Sequence, residues 1–313
     1  MTKDPTKEIN IITIGKKAVV QCQKLGFLTI LRNCLRLTYS LLFNLNGLLK
    51  FSKVITLPNI KPLFWKHPII FFYFLSKHYL ALSLNSRSRL ALLTNHYSFI
   101  SKVMNDHFTR NISDGDIVIW NKSIETNCFS IRLTYPQYDG DGNIALILNI
   151  NSDPIYHLSF TIVPGHIFNM PDDHILYITR MQGGGNRFDL IRCATKSLYE
   201  ISPPALLLIA VRAIANALNI ENIAGITVKD HPYLGRMPAA DHYFSNYDNF
   251  WTSVGGKKIN DNVYILQTKP DEKPLSDIKQ SHRRRTKIKR QRQIDIMDQI
   301  CQTFEQLCLR AKL

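Results

Sequence analysis

Apolar and polar residues alternate at several places along the chain, and each place predicts an element. Phe129, Ile131, Leu133 and Tyr135 alternate with Ser130, Arg132 and Thr134, the two-residue period of a half-buried strand. The turn Asp139-Gly-Asp-Gly-Asn143 and the apolar run Ile144 to Ile150 follow, which together predict a hairpin. Ile155 to Val163 and His174 to Thr179 predict two more strands. The period then lengthens. Asn186 is placed to cap a helix carrying Phe188, Ile191, Thr195 and Leu198 on one face. Ser202-Pro203-Pro204 opens a second helix, ALLLIAVRAIANAL, apolar nearly all round with Arg212 as its sole charge, and therefore predicted to be buried. Ile223 to Val228 predicts a short strand beside the fourth, Tyr243 to Val254 a helix stopped by Gly255-Gly256, and Val263 to Thr268 a last strand. Beyond them Ile294, Met297, Cys301, Phe304 and Cys308 recur at three- and four-residue steps, a seam able to dock on the body or on a protein partner. The fold class expected is α+β: a basic helical N-terminal region (1–110), a mixed, mainly antiparallel sheet flanked by helices (111–270), and a basic amphipathic C-terminal helix (271–313).

Composition narrows the classes of protein this can be. The 313 residues are 45% hydrophobic and 20% charged, which excludes collagen-like, disordered and disulfide-scaffold classes. The six cysteines are dispersed without a Cys-x-x-Cys, which points to free thiols in a reducing compartment. The first residues contain acids and only a short apolar stretch, unlike a signal peptide. The apolar runs Ile69 to Leu75 and Leu37 to Leu49 are broken by Lys77 and His78 and by Asn44 and Asn46, short of the roughly 18 apolar residues a span needs. These features predict a cytoplasmic protein that can lie on the inner membrane without crossing it.

Charge is the most informative feature. The net charge is +15, and it is segregated. No acidic residue occurs between Glu8 and Asp106, where thirteen Lys and Arg fall; residues 111 to 278 carry 13 basic and 18 acidic side chains; Lys279 to Arg292 adds eight basic residues and no acid. Two basic arms thus flank a mildly acidic body, a pattern suited to anionic partners. In the tail Arg283, Arg284, Arg285, Lys287, Lys289, Arg290 and Arg292 are the candidates for contact with an anionic membrane surface or with nucleic-acid phosphates. The N-terminal arm mixes Arg32 and Arg36 with leucines. Two readings fit it: an interfacial helix on anionic lipid, or a helical subdomain whose basic face is solvated.

The fourth predicted strand runs into Arg180-Met-Gln182-Gly183-Gly184-Gly185-Asn186 and then a helix. A glycine-rich strand-to-helix turn lets backbone N–H groups approach a phosphate at the positive end of a helix. The spacing lacks the Gly-Lys-Ser/Thr of a Walker loop and the Gly-x-Gly-x-x-Gly of a dinucleotide turn. It does satisfy Arg-x-x-Gly-x-Gly, and the order of elements around it resembles the GNAT acyltransferase superfamily. That resemblance implies acyl-CoA or an acyl carrier thioester as cofactor, with Arg180, Gln182, Gly183, Gly184, Gly185 and Asn186 around its phosphates. It also implies a tyrosine general acid four residues before the glycine that ends the next helix. That position is Trp251 here, which has no titratable hydroxyl, and Tyr247 is the nearest substitute.

A second resemblance covers residues 85 to 300. Leu176-Tyr-Ile-x-x-x-Gln182-Gly183, the stretch LIAVRAIANALNIENIAGITV, His231 with Arg236, Tyr247-Asp248-x-Phe250-Trp251, Gly255-Gly256 and the basic run after Asp277-Ile278-Lys279 are similar to the bacterial VirK/YbjX family, as are Arg89-Leu90 and His96-Tyr97. That family has no established reaction. The resemblance implies a role in envelope stress, resistance to cationic antimicrobial peptides, virulence and intracellular survival in Gram-negative bacteria, and for some members a DNA-damage response.

Single residues add candidates. His231 and Arg236 follow the Ile223–Val228 strand at its carboxyl end, where ligand crevices often open, so His231 with Tyr247 is a candidate for proton handling and Arg236 with Trp251 for substrate contact. The aromatic stripe of Tyr247, Phe250 and Trp251 suits a packed core better than a cofactor box. No metal is expected: the ligand spacing near His231 is irregular, and Ile144 and Ile150 stand where a calcium loop needs glycine and glutamate. Three functions follow: an envelope factor working by acyl transfer at the membrane surface, a non-enzymatic nucleic-acid-associated protein using the basic tail, or a non-catalytic adaptor whose tail helix binds another protein.

Overall fold

The computed structural model describes residues 11–23, 31, 35, 38, 42–136, 140–185, 187–234, 246–270 and 274–311. Helices α1 (Ile11–Gln23), α2 (Leu45–Ile55), α3 (Lys61–Lys66), a 3-10 helix (Pro68–Leu75), α4 (Ser86–Val103) and α5 (Asp106–Asp114) lead into strands β1 (Asp116–Ile124), β2 (Asn127–Thr134), β3 (Ile144–Ile150), β4 (Asp153–Val163) and β5 (Ile175–Gly183). Then come α6 (Phe188–Ser197), α7 (Pro203–Ala217), β6 (Asn222–Ile226), α8 (Asn246–Ser253), β7 (Lys257–Asn260), β8 (Val263–Gln267) and α9 (Gln280–Cys308).

The eight strands form one sheet in the order β1-β2-β3-β4-β5-β6-β8-β7. Every neighbour pair is antiparallel except β5 and β6. Register sorts the faces. Leu133, Leu146 and Leu158 align across β2, β3 and β4 and are fully buried, while Thr134, Ala145, Ser159 and Arg180 align on the opposite face as far as β5. β5 carries a bulge: Ser159 pairs with Arg180 and Phe160 with Ile178, which leaves Thr179 as the extra residue. β1 and β7 were not expected from the sequence. β7 has four exposed residues, KKIN, and owes its existence to pairing with β8.

Helix α7 is buried along most of its length, as its all-round apolar pattern predicts. The sheet covers one side and α9 the other. The seam of α9 overlaps the expected one at Phe304 and Cys308, with Met297 and Cys301 partly buried against the core, and departs from it at Ile294. Ile296, Ile300, Phe304 and Cys308 are buried, whereas Ile294 is exposed. Steps of four residues follow the helix ridge that fits a neighbouring groove, so α9 docks on the body along that ridge. The apolar run around Ile69 to Leu75 is the 3-10 helix, with Ile70 and Phe74 fully buried in the same continuous core that extends from Ala18 to Cys308. Helix α6 begins at Phe188 with Arg187 at its N-cap position, and Phe188 is exposed instead of facing inward; Asn186, expected to cap this helix, lies outside the described residues.

Helix α8 crosses the sheet with Trp251 laid on Gly225. A Cβ at Gly225 would sit 2.5 Å from the indole Cε2 atom, so only glycine admits the ring there. Gly255, with φ of +86°, turns the chain out of the helix, and the Gly256 N–H donates to the Trp251 carbonyl at 2.8 Å. Gly225→Ala is therefore expected to lower stability by about 1–3 kcal/mol through overpacking, with a blue- or red-shifted Trp251 emission. Gly185→Ala, where an added Cβ meets nothing within 4 Å, is expected to change stability by less than about 0.5 kcal/mol. Urea denaturation of the two variants checks both.

Candidate functional site

The parallel strands β5 and β6 stay paired only from Leu176 to Ile178 against Ile223 to Gly225. Beyond them the two strands need other partners, and α8 supplies three. The Tyr247 hydroxyl accepts the Met181 N–H at 2.6 Å, the Trp251 Nε1–H donates to the Ile226 carbonyl at 2.8 Å, and Asp248 Oδ1 accepts the Val228 N–H at 3.0 Å. The rings of His231 and Tyr247 meet edge to face, 5.4 Å between centroids. His231 Nδ1 accepts the Tyr233 N–H at 3.3 Å. Beside them Arg180 forms a largely buried ion pair with Asp141 and donates to the Gln182 side chain. His157 of β4 faces Gln182 in register.

This is a polar cluster inside a low-dielectric wall, and its titration reflects that. Burial holds the Tyr247 hydroxyl well above the usual phenol range. Burial, reinforced by the charge of Arg180, lowers the His231 imidazole to about 3. His157 is lowered by the same two causes in the same order. At neutral pH the cluster thus holds neutral Tyr247 and neutral His231 beside the Arg180–Asp141 pair.

The structure sets the rings of His231 and Tyr247 against each other, and it places their neighbours differently from the sequence reading. Arg180, Gln182 and Gly183 are strand residues of β5, not parts of a turn. Arg180 is committed to Asp141, so it is not free for a phosphate. An added Cβ at Gly183 would meet Ile191 at 3.1 Å and the Tyr156 ring at 3.4 Å, so the space above it is filled. The Gly184 N–H, the central amide of the expected cradle, donates to the Ile155 carbonyl at 2.9 Å. Gly185 is exposed. The expected phosphate cradle is therefore closed at Gly183 and Gly184, because β5 continues its ladder with β4 through the glycines. Trp251 is fully buried with its N–H used on the backbone, which removes it from substrate contact. His231, held neutral, carries no imidazolium proton at neutral pH, and with Nδ1 accepting it keeps its hydrogen on Nε2. Asn186 and Arg236 lie outside the described residues.

The sequence reading placed Asp141 in a turn and Asp248 in a motif but gave neither of them, nor His157, a part in this cluster. Asp141 sits in a glycine-rich turn that looks solvent-facing, yet Gly140 to Asn143 are all buried, and the Asn143 amide donates to the Tyr79 hydroxyl at 2.8 Å. A buried arginine on a strand needs an acid, and the acid-bearing turn one hairpin earlier was the available signal.

The basic half of α9 projects from the seam. Arg283 donates to the Ser276 and Ile278 carbonyls, Lys289 to the Glu200 carbonyl at 2.7 Å, Arg285 lies 3.5 Å from the Glu200 carboxylate, and Arg292 stacks on Tyr199 and lies 3.9 Å from Asp295. Arg284 and Lys287 are exposed. Of the two expectations for the tail seam, the body or a protein partner, the structure shows it docked on the body. No helix among the described residues is long and apolar enough to cross a membrane.

His96, buried between α4 and β4 with Nδ1 accepting the Ile162 N–H, is lowered by burial to about 3, like His231. Between the ordinary value of 6.5 and about 3 the unfolded chain binds protons at these rings that the folded chain does not. Stability therefore rises with pH across that window, by about 1.4 kcal/mol per unit for each ring, and is lost on acidification. Urea midpoints measured between pH 7 and pH 5 are expected to fall, and less steeply in His231→Gln.

The family described as a protein of unknown function, DUF535, matches residues 27–306. The uncharacterised protein YbjX of Escherichia coli strain K12 is 23% identical over 215 residues, 65% of this chain and 63% of that protein, so the chain spans less than two thirds of the length of this curated relative. No solved structure matches. The family match over most of the chain, joined by the similarity to YbjX that the motifs at Gln182-Gly183 and Tyr247 to Gly256 indicated, means that the chain belongs to the DUF535 family.

Proposed function

We propose that this protein is a peripheral factor that docks on anionic phospholipid bilayers, the surface at which the envelope role implied by its family resemblance would be exercised. One observation carries the reading. Leu31, Leu35, Leu42, Leu45 and Leu49 are each 46–73% exposed and recur at intervals of four, seven, three and four residues. Leu31, Leu35 and Leu42 hold helical positions before the break at Asn44, and Leu45 and Leu49 lie on α2 after it, so the exposed leucines make an apolar stripe in two helical pieces, in a stretch of the chain that holds no acidic residue. A solvated basic face would keep its leucines inward. Here they point outward, together with exposed Phe43, Lys50 and Lys53. Aliphatic side chains gain from acyl chains and nothing from nucleic-acid phosphates, so the stripe favours lipid. Each buried leucine contributes on the order of 1.5–3 kcal/mol at full burial, and each nearby Lys or Arg about 1 kcal/mol on an anionic surface. A few of each suffice for reversible docking, with exposed Arg284 and Lys287 of α9 able to add to it.

A second reading, acyl transfer from an acyl-CoA or carrier thioester, is favoured by the opening of the parallel β5–β6 pair at Met181, where the Tyr247 hydroxyl stands. A carbonyl placed there would accept the N–H that Tyr247 accepts. Its expected signature is a rise in melting temperature with acetyl-CoA or a longer acyl-CoA that Tyr247→Phe alters; no shift with any acyl-CoA removes the reading.

For the docking itself, co-sedimentation with phosphatidylglycerol-containing vesicles is expected to exceed that with phosphatidylcholine alone and to weaken as salt is raised. Leu35→Asp with Leu42→Asp, both at exposed positions, is expected to lower partition by about tenfold or more. Binding to duplex DNA that survives this double substitution, with no partition into anionic vesicles, would replace lipid by nucleic acid as the partner.

A further inference from the structure

At the end of the sheet away from Tyr247, a cavity of about 270 Å³ opens between α7, the β6–β8–β7 edge and the end of α8. Arg212 lines it. This guanidinium is the only charge on a helix otherwise buried in the core, and among the described residues no carboxylate lies within 4 Å of it. One Nη2–H donates to the Val254 carbonyl at 3.3 Å, at the C-terminus of α8. Its Nε–H is buried without a partner. Arg212 is half-buried; with one donor bonded and the Nε–H buried without a partner, the charged guanidinium carries a desolvation cost that an anion in the cavity would offset.

The rest of the wall indicates what kind of anion. Lys257 stands on the same sheet face as Ile265, its partner in register, and is exposed at the rim. Met170, Ile259 and Ile265 supply apolar surface. A phosphate dianion would bring three strongly hydrated oxygens against those side chains, while a carboxylate with a short apolar body places its charge on one side and its carbons on the other. We propose that this cavity binds a small aliphatic carboxylate, its anionic group held by Arg212 and Lys257 and its body against Met170, Ile259 and Ile265. The site is independent of the docking stripe and of the Tyr247 cluster.

Calorimetry on the full chain tests this with hexanoate, 1-hexanol and inorganic phosphate. The expected result is saturable binding of one hexanoate, weakened about tenfold or more by Arg212→Met and also by Ile259→Asp, with neither hexanol nor phosphate binding as tightly. The proposal is overturned by no saturable hexanoate binding to the wild type, by unchanged affinity in folded Arg212→Met, or by hexanol or phosphate matching hexanoate. Should Arg212→Met fail to fold, Ile259→Asp decides, because Ile259 is half-exposed on an edge strand; an unchanged hexanoate affinity in that variant rejects the site.

Discussion

Where two parallel strands separate, each leaves N–H and C=O groups that must find partners elsewhere or be lost to burial without them. In this protein β5 and β6 separate after Ile178 and Gly225. Three demands arise there, at Met181 N–H, Ile226 C=O and Val228 N–H, and one short helix meets all of them with Tyr247, Trp251 and Asp248. Much else follows from that constraint. Trp251 reaches the Ile226 carbonyl only by lying on the sheet, which excludes every side chain but glycine's at position 225. Tyr247, drawn to Met181, comes against His231 and closes the polar cluster around Arg180 and Asp141. The same packing dehydrates His231 and holds it neutral.

Segregated charge is the second organising fact. The body is mildly acidic and the arms are basic, yet the C-terminal arm is no loose appendage. Its apolar seam runs along α7, and its basic turns are steered by a corner at Tyr199 and Glu200, both left-handed with φ of +56° and +62°. That corner stacks Tyr199 on Arg292 and turns the Glu200 carbonyl to Lys289. Arg284 and Lys287 are left facing solvent. A helix docked on the body that presents cations from its solvent face differs from a loose basic tail, because its charges reach a surface with less conformational entropy left to lose.

Much of the scaffold was legible in the chain. The alternation from Phe129 to Thr134, the run Ile144 to Ile150, the glycine stop at Gly255 and the all-apolar helix around Arg212 each reappear where the pattern placed them. Those signals are local: one face buried, a period of two or of 3.6, a residue that tolerates positive φ. The misreadings share the opposite property. The glycines at 183 and 184 look like a ligand turn until β4 is beside them, and the ladder to Tyr156 and Ile155 is a contact across nearly thirty residues. The turn at Asp141 looks exposed until Leu80 and Arg180 close over it. In α9 the seam read from the sequence at 294/297/301/304/308 holds at Phe304 and Cys308, while the groove on the body buries Ile296 and Ile300 and leaves Ile294 outside.

Sequence alone therefore determined the class of the fold, the strands with strict alternation, the helix that must be buried, the segregation of charge and membership in a family through rare residues in order. Those properties depend on neighbours within a few positions, or on composition, and survive without knowledge of any partner. The tertiary structure alone decided which amides remain available, which histidine is neutral, which arginine has an acid and which does not, and which leucines face outward. Each of these is a matter of what stands opposite a group in space, and desolvation and hydrogen bonding act over a few ångströms between residues that the chain keeps far apart.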